Sequence, residues 1–158
     1  MSAGLEVKRA KNGKGIFTKR PLKQSQVVFE VVGERKHYQN VNKKGGTFQD
    51  NTFRFSKDYY LSPAGKLGDY LNHSCDPNAG VKKKNNKLYI VAMDNIKKGS
   101  EIVIDYSTIL AGDDSWTMCC SCKSRNCRKV IKDFHSLPKN LQERYKDLGV
   151  VPKHILEN

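Results

Sequence analysis

Short runs of alternating apolar and polar residues, each cut off by Gly, Pro or a Lys-rich turn, set the character of this chain. Leu5-Glu6-Val7, Gly15-Ile16-Phe17-Thr18 and Val27-Val28-Phe29-Glu30-Val31-Val32 have the length and β-branched content of strands. Thr52-Phe53-Arg54-Phe55 alternates polar and aromatic, as a half-buried strand does, and Tyr59-Tyr60-Leu61 follows after a turn. Residues 79–83 and 87–93 flank Asn85-Asn86 and predict a hairpin. Residues 101–104 form a further alternating run. Helical spacing is scarce. Residues 66–71 predict a short helix, and Leu137, Leu141, Tyr145 and Leu148 predict a longer one around Pro138. Residues 33–50 are polar, contain Gly45-Gly46 and read as a loop-rich insert. The sum is an α+β domain, mainly β, of short twisted sheets. Periodicity does not supply its topology.

Length changes this picture little: 158 residues suit one domain with a small appendage. The first ten residues lack the apolar run of a signal peptide, and no stretch approaches membrane-spanning length. The expectation is a soluble, intracellular protein without membrane contact. Charge adds more. A net charge of +13 attracts polyanions, so DNA or a nucleosome is a candidate partner. The alternative is that the lysines only keep exposed faces solvated. The local run Lys82-Lys83-Lys84 has no interleaved aromatic residue of the kind a single-strand-binding surface uses.

Five cysteines are present, and four crowd into Cys119, Cys120, Cys122 and Cys127. A disulfide framework spreads its cysteines, whereas clustering favours a thiolate metal site. Three thiolates on one short loop can reach a single tetrahedral metal, and a structural site needs a fourth ligand. Cys119 could replace Cys120 in another register. Free thiols or a regulatory disulfide are the bland alternative.

Four pieces carry the chemistry in a fixed order. They are Asn12-Gly13-Lys14-Gly15-Ile16-Phe17, then Asn72-His73-Ser74-Cys75-Asp76-Pro77-Asn78, then Gly99-Ser100-Glu101-Ile102-Val103-Ile104-Asp105-Tyr106, then Cys120-Ser121-Cys122 with Cys127. Each has an ordinary structural reading, since glycine turns, Asp-Pro-Asn turns and tyrosines abound. In this order, they resemble a SET-domain protein lysine methyltransferase with a post-SET zinc-binding segment. The resemblance spans nearly the whole chain. It divides the chain into a SET domain (residues 1–117) and a post-SET segment with a C-terminal helix (residues 118–158). It also implies a knot-like threading of the chain around Tyr106 past Asn72-His73, an exception to the rule against threaded chains.

The resemblance assigns roles residue by residue. Gly13, Lys14 and Gly15 would cradle the methionine end of S-adenosylmethionine, with Asn72 and His73 binding the same cofactor largely through backbone groups and the Asn amide. Tyr106 would contact the cofactor and act as the catalytic residue. Zinc would be held by Cys75, Cys120, Cys122 and Cys127. Ile104 occupies the position that limits methyl number in relatives; an aliphatic side chain there argues for di- or trimethylation, while plain strand core is the alternative. Phe53, Phe55 and Tyr60 are candidates for the substrate channel. Two departures stand out. Asp69 occupies the position of a common Arg, and Ser100 that of a common Glu, so Glu101 must find another partner.

The expected activity is S-adenosylmethionine-dependent methylation of lysine on a histone or other basic chromatin-type protein. Localisation would be the nucleus or chromatin in a eukaryote, and the cytoplasm or nucleoid in a prokaryote. The rivals are a catalytically inactive SET-like module that binds protein or nucleic acid, and a small zinc-containing nucleic-acid-binding protein.

Overall fold

The computed structural model describes residues 4–42 and 52–158. In chain order, the first half forms β1 (Leu5–Arg9), β2 (Lys14–Thr18), β3 (Val27–Val31), β4 (Glu34–His37), helix α1 (Tyr38–Asn42), β5 (Phe53–Arg54), β6 (Tyr59–Ser62) and β7 (Asn72–His73). There follow β8 (Ala79–Lys84), β9 (Lys87–Ala92), β10 (Glu101–Ile104), β11 (Met118–Cys119), β12 (Val130–Ile131), α2 (Lys139–Asp147) and α3 (Lys153–Leu156). Short 3-10 turns cover Leu67–Tyr70, Tyr106–Ile109 and Phe134–Ser136. The architecture is mainly β with few helices, as the alternation predicts.

Four small sheets result, ordered β1-β2-β10-β7, β3-β9-β8, β4-β6-β5 and β11-β12. The Asn85-Asn86 hairpin forms with both residues at positive φ, 49° and 59°, the left-handed region that Asn tolerates. Alternation along β9 splits its side chains between two cores. Leu88 and Ile90 join Ile16, Phe29, Phe53, Ile102 and Ile104 in the main core. Val91 faces the opposite way, into a second core with Met93, Phe134, Tyr145, Val150 and Ile155. The C-terminal segment is therefore packed against the outer face of the β3-β9-β8 sheet.

The polar stretch 33–50 departs from its expected loop character. Residues 34–37 pair antiparallel with β6, from Glu34↔Ser62 to His37↔Tyr59, and residues 38–42 turn into α1. The side chains of β4 are exposed or half-buried, so no hydrophobic alternation marks it. Its hydrogen bonds come from β6, a signal that lies outside the segment. Gly45-Gly46 falls outside the described residues.

Close packing of the tail on β8 makes a testable demand. A Cβ at Gly80 would stand 2.4 Å from Val150 Cβ and 2.9 Å from its Cγ1. Overpacking of this kind costs roughly 1–3 kcal/mol. Gly80→Ala is expected to lower the thermal midpoint, and combining it with Val150→Gly, which removes the clashing Cβ, to destabilise by less than the sum of the two single changes. Additive destabilisation in the double variant would show that the two residues are not in contact.

Candidate active site

The site is built where β10 runs parallel to β7, with Val103 beside Asn72 and Ile104 beside His73. Two residues make a weak strand, and side chains complete the pairing. The Asn78 amide acts as a peptide would: its Nδ2 donates to Glu101 O (2.8 Å) and its Oδ1 accepts from Val103 N (3.0 Å). Ser74 N donates to Ile104 O at 2.9 Å, and Ser74 Oγ accepts from Asp76 N at 3.0 Å, closing the turn. This parallel contact brings together the two segments that the threading expectation joins.

The β1–β2 turn packs against this crossing. Asn72 Nδ2 donates to Lys14 O (3.0 Å) and to Glu101 Oε1 (2.7 Å). Glu101, deprived of an Arg partner, is thus satisfied by Asn72. A Cβ at Gly15 would lie 2.3 Å from Glu101 Oε1 and 3.0 Å from Asn72 Nδ2, so no larger residue fits without breaking this bond.

Tyr106 is fixed from three sides. Its N–H donates to His73 Nδ1 (3.0 Å), its hydroxyl donates to Leu71 O (2.6 Å), and its ring packs against Trp116 with centroids 6.1 Å apart. Because His73 Nδ1 accepts, its proton sits on Nε2, which faces Cys75 Sγ at 3.3 Å. Burial pushes His73 down to about 4, so the ring is neutral. With both nitrogens engaged, it is a strut and not a base. Next to Tyr106, the buried Asp105 accepts from Arg128 Nη2 (2.7 Å), Tyr145 hydroxyl (2.9 Å) and Ser107 N (3.0 Å).

A cavity of about 290 Å³ opens at this point, lined by Asn12, Asn72, His73, Tyr106, Met118 and residues 119–122. One wall is therefore the cysteine loop. The sulfurs of Cys75, Cys120, Cys122 and Cys127 all lie within 4.8 Å of one another, with Cys75 and Cys120 3.8 Å apart. Arg128 N donates to Cys75 Sγ and Cys122 N to Cys120 Sγ, each at 3.4 Å, as backbone donors do around bound thiolates. Burial pushes the Cys75 thiol up to about 12. Burial also opposes ionisation of Cys122, but hydrogen bonds, led by that of the Ser124 hydroxyl, outweigh it and bring that thiol down to about 6. This geometry can hold one metal ion. Cys119 is exposed, sits outside the sulfur cluster and lines the cavity instead.

The other candidate residues lie elsewhere. Phe53 and Phe55 belong to the main core, and the Tyr60 hydroxyl donates to Asp114 beside Arg54. None of the three lines the cavity at Tyr106. Ile104 is fully buried in the main core. Gly13 and Lys14 contribute backbone, while the cavity wall from that turn is Asn12. Asn12 stands in the first motif, where the glycines drew the attention. Met118, Asn78 and Asp105 carry no local signal that separates them from ordinary residues.

A model of the SET domain matches residues 13–107. The chain belongs to the SET domain family. The variant-silencing SET domain-containing protein of Plasmodium falciparum (isolate 3D7) is 30% identical over 152 residues, covering 85% of this chain and 6% of that protein. Histone-lysine N-methyltransferase Su(var)3-9 of Drosophila pseudoobscura pseudoobscura is 30% identical over 149 residues, covering 76% of this chain and 23% of that protein. The chain thus spans under a quarter of the length of either relative. Among solved structures, KRYPTONITE in complex with mCHH DNA, H3(1-15) peptide and SAH matches this SET domain with a TM-score of 0.64 at 23% identity, covering 81% of this chain and 29% of that one. That match is one of fold.

Elemental analysis of protein purified without added metal tests the sulfur cluster. One metal per chain is expected, retained by Cys119→Ser and lost in Cys122→Ser. Release is also expected as pH falls, because the thiolates must take up protons. Equal metal loss in both variants would mean that the cluster has another ligand set.

Proposed function

We propose that this SET domain protein is an S-adenosylmethionine-dependent protein lysine N-methyltransferase acting on a histone or other basic chromatin-type protein. One observation carries the reading: the Tyr106 hydroxyl is fixed on Leu71 O at the wall of a cavity that Asn72 and the cysteine loop also line. S-adenosylmethionine, when bound, supplies the electrophilic methyl group. The cavity offers it the Asn12 and Asn72 side chains and the backbone of residues 72–73. Residues 13–15 add the close backbone approach that Gly15 permits.

The protein's task is then orientation and desolvation, which supply most of the rate in such a displacement. The phenol proton of Tyr106 goes to Leu71 O, so toward an arriving lysine amine the phenol oxygen is an acceptor. It holds the amine by an N–H and so turns the nitrogen lone pair toward the methyl group. Neutral His73 keeps the Tyr106 backbone in place and adds no positive charge to repel the lysine.

The metal is read as zinc. Zinc–thiolate bonds of about 2.3 Å in a tetrahedron put sulfurs about 3.8 Å apart, and Cys75 and Cys120 stand at that separation. Zinc would tie residues 118–158, read as the post-SET segment and C-terminal helix, to the Asn72–Cys75 segment and so close the cavity wall. The relatives' names and the basic surface support a place in chromatin. The net charge of +13 favours a lysine presented on a polyanion such as DNA or a nucleosome. Among the described residues, no helix is long and apolar enough to cross a membrane.

Incubation with labelled S-adenosylmethionine and histones tests the activity directly. Tyr106→Phe is expected to bind cofactor as the parent does and to lose about a hundredfold or more in methyl transfer. Transfer at the parent rate would remove Tyr106 from the chemistry, and failure of the parent to bind the cofactor would point to an inactive binding module.

A salt series tests the charge. Screening shortens from about 10 Å at 0.1 M to about 3 Å at 1 M. DNA-bound histone is expected to be methylated faster than free histone at low salt only. Equal rates throughout would leave the charge as a solvated surface.

A further inference from the structure

A second open cavity, about 850 Å³, lies away from Tyr106 on the outer face of the β3-β9-β8 sheet. The C-terminal segment covers one end of that face, where Val150 sits on Gly80. It leaves the other end as a groove between the β8–β9 hairpin and residues 149–157.

The walls of this groove are of two kinds. Val27, Tyr89, Val91, Val151 and Pro152 make an apolar floor, and Val27 is 54% exposed. Lys82, Lys84 and Lys153 stand around it. Among the described residues of the lining, Glu157 is the single acid, and it already pairs with Lys153 at 3.4 Å. The run Lys82-Lys83-Lys84 is thereby divided. Lys83 turns inward, its ammonium 2.5 Å from Phe55 O and 4.2 Å from the centroid of that ring, which the Arg35 guanidinium also approaches at 4.2 Å. Burial favours the uncharged form of His154, which donates to Arg54 O at 2.8 Å. The cations presented to a ligand are therefore Lys82, Lys84 and Lys153.

We infer that this groove docks an acidic peptide segment of a protein partner, with aliphatic side chains on the floor and carboxylates on the rim. Charge complementarity selects an anionic occupant. An apolar floor inside a charged rim is the anatomy of a protein interface. Duplex DNA would use the lysines, since phosphate contacts need charge alone, but would gain nothing from an exposed Val27 beside Val151 and Pro152.

Fluorescence anisotropy on the full chain tests this. The probes are a labelled peptide of repeated Glu-Glu-Leu, a poly-Glu peptide of equal charge and a short DNA duplex. The Glu-Glu-Leu peptide is expected to bind tightest. Lys82→Gln with Lys84→Gln should weaken it about fivefold, as two partly exposed ion pairs are worth. Val27→Ser, at an exposed position, should weaken it several-fold while leaving poly-Glu unchanged. Neither variant should alter the thermal midpoint or methyl transfer to a short basic peptide. Three outcomes would overturn the inference: equal binding of poly-Glu with no response to Val27→Ser, tighter binding of the duplex, or no binding of either peptide.

Discussion

A carboxylate removed from water has to be paired, and Asp105 is almost completely buried. Two of its partners come from distant parts of the chain. Arg128 follows the last cysteine of the sulfur cluster and Tyr145 belongs to α2, while Ser107 lies nearby in the 3-10 turn after β10. Arg128 also donates its backbone N–H to Cys75 Sγ. One carboxylate therefore joins the end of β10, the cysteine loop and α2. Its neighbour in sequence is Tyr106, so the backbone that presents the phenol is anchored on both sides. Without Asp105, Arg128 would be left as an uncompensated buried cation, and the loop would have to move to rehydrate it.

The motifs were legible because their chemistry is local. Gly15 is needed within one turn, Asn72 within one crossing, and three of the four sulfurs lie on one loop. Strands with a wet face and a dry face, such as β2 and β9, were legible from alternation. β4 was not, because its side chains are polar and its partner is more than twenty residues away. The aromatic residues at positions 53, 55 and 60 show a related limit. Composition says that Phe53, Phe55 and Tyr60 are buried, but not which wall they join; their neighbours are Arg54, Lys83 and the main core, and not the cavity at Tyr106.

Charge counting has a similar limit. A net charge of +13 describes the far field of the molecule, and steering depends on that far field. It does not say which cations meet a partner. Arg54 has no exposed side-chain surface and holds Asp113 and Asp114. Lys83 and Arg35 share the Phe55 ring. These cations work inside the fold, and specific contacts fall to those left outside, among them Lys82 and Lys84.

The two buried ion clusters bracket Tyr106 and so relate to function more than to stability. Arg54 on β5 binds the Asp113–Asp114 loop, which leads into Trp116 against the Tyr106 ring. Arg128 binds Asp105 on the other side. Buried ion pairs rarely repay their desolvation relative to apolar packing of the same volume, while loss of one partner is severe. Such clusters stabilise one arrangement against its alternatives, since a shifted loop leaves a charge unpaired. The methyl transfer proposed here needs that kind of specification. Its rate would depend on holding an amine nitrogen, a methyl carbon and a sulfonium sulfur in line, with the phenol beside them, and an apolar contact, which tolerates sliding, would fix that line less well.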